Sequence, residues 1–205
     1  MRNAYALLGL AWLIIIVAGT YAFNRNFTRT GDTAPQNITR SEISTSMATS
    51  TLTLRSPAFA DNGSMPSRFT CDGDRTVNPE LTIGGVPPGT KSLALIMDDP
   101  DVPKALHPDG VFEHWILFNI PPSTTAIPEN GSVGTVGANG AGKNAYTGPC
   151  PPPQYEPSEH RYVFKLYALD TLLALQAEAT RADVEKAMSG HIIAETQLVG
   201  RYKRK

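Results

Sequence analysis

RYVFKLYAL (Arg161–Leu169) combines aromatic and β-branched residues without a glycine or proline. That composition suits a pleated, half-buried surface and predicts a β-strand. Working outward, HWILFNI (His114–Ile120) has the same character. SLALIM (Ser92–Met97) is a short apolar run between turn signals, as a buried strand would be, and LTL (Leu52–Leu54) alternates like a half-buried one. Loops with Gly, Pro, Asn or Asp separate the runs. Strands following strands predict a mainly β fold, with antiparallel sheets packed as a sandwich.

The 17 glycines and 17 prolines agree with this reading. Prolines cluster at Pro87-Pro88, Pro121-Pro122 and Pro151 to Pro153. Each removes a backbone donor and fixes φ, so a helix bundle is excluded. A helix candidate stands near the C-terminus. Thr180 can cap it, Asp183 suits its first turn, Ala182, Val184, Ala187 and Met188 give a mixed apolar face, and Gly190 ends it. His191 to Tyr202 reads as a last strand. One or two short helices are expected in this region.

The first 50 residues differ in character. After a short tail, residues 1–4, Tyr5 to Phe23 contains no charge. At a rise of 1.5 Å per residue, about 19 residues cover the ~30 Å hydrocarbon core of a bilayer. A transmembrane anchor is therefore expected over 5–23, with a cleaved signal peptide as the alternative. Residues 24–50 are rich in Thr, Ser and Asn and read as a flexible tether. Residues 51–205 form the folded domain. An anchor so close to the start usually carries the downstream chain across the membrane, so the domain is expected on the extracytoplasmic side, although Arg25 and Arg29 after the segment argue the other way.

The formal net charge of -1 gives no overall field to recruit nucleic acid. GANGAGKN (Gly137–Asn144) nearly matches a phosphate-binding loop, but Asn144 lacks the metal-binding hydroxyl, and the proline-rich continuation cannot open a helix. A glycine-rich surface loop is the better reading. Asn26, Asn37, Asn62 and Asn130 match the glycosylation pattern by chance.

Chemistry-bearing residues gather at strand ends. Asp98-Asp99-Pro100-Asp101 follows the strand ending at Met97, and Pro100 stiffens the turn, holding Asp99 and Asp101 at a strand end. His114 opens one strand and His160 directly precedes another. His107 and His191 lack such a setting and read as surface residues. Gly148 lies in a proline-stiffened loop where backbone can approach a ligand closely. Imidazole and loop N–H groups are donors suited to an anion, while the aspartates orient histidines. Cys71 lies in a turn that could meet Cys150; the two cysteines could form one bridge or remain free thiols.

DDPDVP (Asp98–Pro103), EHW (Glu113–Trp115), GPCPP (Gly148–Pro152) and EHRYVFKLYALD (Glu159–Asp170) resemble the signatures of the phosphatidylethanolamine-binding protein family, also called the Raf kinase inhibitor protein family. CDG at Cys71 and the ending GHIIAETQLVGRYKR resemble its bacterial and archaeal branch. The resemblance covers about Thr51 to Lys205. It implies a β-sandwich with a small cavity at one end that takes phosphate-like and carboxylate groups. By motif, Asp99, Asp101, Pro103, His114, Gly148, His160 and Tyr162 are the implied ligand-binding residues. It also places both cysteines near the pocket, where a Cys71–Cys150 bond would brace the rim. Cys150 and the insert Pro153 to Glu159 depart from the eukaryotic pattern.

The function expected is a membrane-tethered, non-catalytic, regulatory binding protein for a small anion or phospholipid head group, without cofactor or metal. One alternative is a kinase or protease inhibitor acting on a protein target through its surface. The other is a metal-assisted hydrolase using the two histidines and two aspartates, although no tight histidine cluster supports it.

Overall fold

The computed structural model describes residues 51–205. A small sheet contains β1 (Thr53–Arg55), β3 (Leu81–Gly84) and β6 (Ala126–Ile127), in the order β1-β3-β6. A larger sheet contains β2 (Gly63–Ser64), β4 (Ser92–Asp99), β5 (Phe112–Ile120), β7 (Thr135–Val136), β8 (Glu159–Leu169) and β9 (Ile192–Lys203), in the order β2-β9-β8-β4-β5-β7. Pairing is antiparallel except for β2 on β9. β2 meets β9 only at Gly200 and Arg201, so residues 192–197 keep one edge without a neighbouring strand among the described residues.

The sheets pack face to face. Leu54, Leu81, Ile83 and Ile127 of the small sheet share one core with Leu93, Leu95, Met97, Trp115, Phe164 and Leu198 of the large one. The other face of the large sheet is covered as well: Ala94, Ile96, Ile116 and Phe118 pack with Val184 and Met188 of α1 (Arg181–Met188). β4 is therefore buried along its whole length, which is why Ser92–Met97 is an unbroken apolar run instead of an alternating one. Thr180 caps α1 in a capping box with Asp183: the Asp183 N–H donates to Thr180 Oγ1, and the Thr180 N–H to the Asp183 carboxylate.

The expectation of a membrane-spanning helix, and with it a single-pass membrane location, is corrected. Among the described residues no helix is long and apolar enough to cross a membrane. The one α-helix there has 8 residues, of which Arg181, Asp183, Glu185 and Lys186 are charged, and rises only about 12 Å. The stretch Tyr5–Phe23 on which the expectation rested lies outside the described residues, as do the tail and the tether. The helix count near the C-terminus is one; a further single turn of 3-10 helix, Ser67–Phe69, stands far earlier in the chain.

Candidate functional site

Side chains alternate across β4, so its last two residues serve opposite faces. Asp98 turns toward α1, with Lys165 Nζ at 2.8 Å and Arg181 Nη1 at 3.7 Å. Asp99 turns to the sandwich side and is 3% exposed. Its Oδ1 accepts the Asp101 N–H at 3.0 Å, which closes the acid turn. Its Oδ2 accepts the His160 Nδ1–H at 2.7 Å. That bond fixes the His160 tautomer and leaves Nε2 on a ring only 1% exposed, with no hydrogen-bond partner.

His114 is positioned from the neighbouring strand β5. Its Nδ1–H donates to the Thr147 carbonyl at 2.5 Å, and its Nε2 lies 3.9 Å from Asp99 Oδ2. Burial holds this imidazole below the usual histidine range, against the opposing pull of the Thr147 carbonyl and Asp99. The neutral ring therefore carries its lone pair on Nε2.

These groups line a cavity of about 270 Å³. Asp99, His114, Gly148 and His160 form its polar wall, together with Arg75, His107 and Thr147. Val102, Leu106, Phe112, Pro151 and Pro152 supply apolar surface. The remaining residues singled out by motif stand elsewhere. Asp101 accepts the Arg161 guanidinium at 2.9 and 2.7 Å and the Arg161 backbone N–H at 2.9 Å, contacts that hold its carboxyl below the usual range. It braces the acid turn on β8 from outside. The Pro103 carbonyl accepts the Leu106 and His107 N–H groups and shapes the loop that carries those wall residues. Tyr162 lies behind the wall, edge-on to His114 at 5.1 Å and stacked with His160 at 6.5 Å between ring centres. Its hydroxyl is buried without a hydrogen bond, and burial, with Asp99 nearby, pushes it well above the usual phenol range.

Cys71 and Cys150 are joined by a disulfide, and Cys150 is itself part of the wall. Gly148 permits a close approach, but of the chain to itself: an added Cβ would strike the Phe69 carbonyl oxygen and stand 3.1 Å from Arg75 Cα. Arg75 and His107 were not expected here. Both lie in polar loops where no periodicity assigns a facing direction; only the ring contact of His107 on Phe112, at 5.3 Å, ties it to the wall. Among the described residues, no three His, Cys, Asp or Glu side chains converge as a metal site would require.

A sequence model described as phosphatidylethanolamine-binding protein matches residues 55–203, a span that contains every residue of this wall. The chain belongs to the phosphatidylethanolamine-binding protein family. An archaeal relative, a UPF0098 protein of Methanothermobacter thermautotrophicus, is 46% identical over 162 residues, covering 75% of this chain and 99% of the relative. A UPF0098 protein of Pyrococcus horikoshii is 44% identical over 158 residues, covering 73% and 76%. Among solved structures, a phosphatidylethanolamine-binding protein homologue from Chlamydia trachomatis is similar with a TM-score of 0.71 at 37% identity, covering 76% of this chain and 99% of that one. Escherichia coli YbcL gives 0.66 at 27% identity, covering 75% and 99%.

In this member of the family His114 links the wall to stability. The folded ring binds a proton less readily than the unfolded one, whose value is near 6.5. The stability contributed by burying it neutral is therefore intact above about pH 6.5 and is lost as pH falls below that value. Urea unfolding at a series of pH values is expected to show wild type losing stability on acidification more steeply than His114→Gln; parallel profiles would refute this.

Proposed function

We propose that the chain is a non-catalytic binding protein whose cavity takes a small anionic group: a phosphate, a phospholipid head group or a carboxylate. The observation that carries this reading is His160 Nε2, a buried polar atom without a partner on the cavity wall. Leaving such an atom unpaired costs about 1–3 kcal/mol, and a ligand oxygen that carries a proton, such as the hydroxyl of a hydrogen phosphate, would relieve that cost by donating to Nε2. Arg75 adds a charged donor on the same wall.

The reading against catalysis rests on the same geometry. Thr147 has a wall hydroxyl, but it accepts from Asn139 Nδ2 at 2.9 Å, and His114 bonds the Thr147 carbonyl instead. Cys150 is held in the disulfide. Among the described wall residues, no hydroxyl or thiol is therefore paired with a base in the manner acyl or phosphoryl transfer needs, which supports the non-catalytic reading.

Isothermal titration of the full chain with inorganic phosphate and with phosphoethanolamine tests the proposal. Wild type should bind, and His114→Ala and His160→Ala should each weaken binding by roughly tenfold or more, the scale of one charge-assisted hydrogen bond. Equal binding by all three proteins, or none by wild type, would reject it.

A further inference from the structure

Among the described residues, Arg75 is the only arginine or lysine on the cavity wall, and it lies outside the acid and histidine motifs. It is exposed, and among the described residues it forms no salt bridge. Its charge reaches the site, for it opposes protonation of His114. A cation that is neither paired nor buried, facing a wall with an unpartnered imidazole nitrogen, is placed to meet an anion at the mouth.

How Arg75 is held matters equally. Its turn touches the wall through one covalent bond and a few hydrogen bonds. Cys71 is bonded to Cys150, the Cys71 N–H donates to the Pro149 carbonyl at 3.0 Å, and the Gly148 N–H donates to the Arg75 carbonyl at 2.7 Å. Both cysteines are half-buried. Asp72, next to Cys71, also accepts the Tyr202 hydroxyl at 2.5 Å and the Lys205 N–H at 2.8 Å. The turn thus keeps an anchor on β9 when the covalent one is lost.

Resting on the anion reading above, we propose that Arg75 supplies the fixed positive charge for the ligand and that the Cys71–Cys150 bond makes this charge conditional on oxidation. Reduction takes two electrons and two protons from a dithiol, which is itself oxidised to its disulfide, and yields the Cys71 and Cys150 thiols. The contact between the turn and the wall then rests on hydrogen bonds and on the packing of Gly148 against Phe69 and Arg75, and the guanidinium is held less firmly at the mouth. The cavity with its histidines remains, so the reduced protein is a weaker anion binder, not an unfolded one.

The test is titration of the full chain with inorganic phosphate, using wild type and Arg75→Gln, each oxidised and each reduced with dithiothreitol. Amide hydrogen exchange at Cys71 and Gly148 is followed in parallel. Oxidised Arg75→Gln should bind roughly tenfold more weakly than oxidised wild type, the scale of one charge-assisted bond. Reduction should weaken wild type by a similar factor, speed exchange at both amides and leave the Arg75→Gln affinity unchanged, because both changes act on one interaction. Wild-type affinity in oxidised Arg75→Gln, no loss on reducing wild type, or equal losses on reducing both proteins would each overturn the proposal. If oxidised wild type takes no phosphate, the anion reading fails and the part given to Arg75 fails with it. Exchange then decides the remaining claim: faster exchange on reduction supports the redox-held turn, and unchanged exchange overturns it.

Discussion

Asp99→Ala is expected to lower the unfolding free energy by about 3 kcal/mol and to abolish anion binding, the upper end of what losing hydrogen bonds to a buried charged group costs. The carboxylate has several tasks and no understudy. It closes its own turn by accepting the Asp101 N–H, and it holds His160 by Nδ1. Without it, a ring only 1% exposed would have both nitrogens unpaired. Asp99→Asn separates the two effects. The amide keeps an oxygen to close the turn, so part of the stability should return. Its NH2 group then faces the His160 Nδ1–H, donor against donor, so the ring loses its orientation and binding should not return. Urea midpoints together with titration of inorganic phosphate check both. A stability loss below about 1 kcal/mol in the alanine variant, a loss typical of a surface contact, would show that the carboxylate is not structural.

Gly148→Ala is expected to cost about 3 kcal/mol, in the range that overpacking produces. The backbone of Gly148 is not in the left-handed region, so the added methyl group brings no torsional strain, and the cost is one of space alone. The atoms it meets are backbone: the Phe69 carbonyl oxygen and, at 3.1 Å, Arg75 Cα. Backbone cannot rotate aside as a long side chain would. The segment 69–75 must move outward, which stretches the Gly148 N–H bond to Arg75 and carries the guanidinium from the mouth. Urea unfolding should show the loss, and hydrogen exchange at the Cys71 and Gly148 amides should speed up. A variant as stable as wild type would mean that the segment yields without cost.

Much of the fold was legible because the periodicities are strong. Arg161–Leu169 and His114–Ile120 read as strands from their composition, and Thr180 and Asp183 mark the start of α1. β2, β6 and β7 were not legible, since two residues each carry no period. The site divides along a similar line. Asp99, His114 and His160 sit at the ends of regular strands, where chain direction tells which way a side chain points. Asp101 lies beyond Pro100, past the strand, and nothing local shows that it turns to Arg161. Tyr162 shares a face with His160, but one step along a strand can lead behind a wall as easily as along it. Arg75 reads as a solvated turn residue, because its place depends on a bond to Cys150, 79 residues from Cys71. The expectation at Tyr5–Phe23 rests on hydropathy alone; that stretch lies outside the described residues, and among those no helix is long and apolar enough to cross a membrane.

The free margin of β9 bears on how the protein behaves at high concentration. Among the described residues no strand is hydrogen-bonded to this edge over residues 192–197, and Ile192 and Ile193 are exposed at 45% and 41%. Such a margin is a template on which a second molecule can add itself, and aggregates can grow from it. Glu195 interrupts it near the middle. Two copies meeting antiparallel across this stretch would bring their Glu195 carboxylates close together, and like charges facing each other across strands repel. Colloidal stability on this side thus depends on one acidic side chain guarding an otherwise adhesive seam.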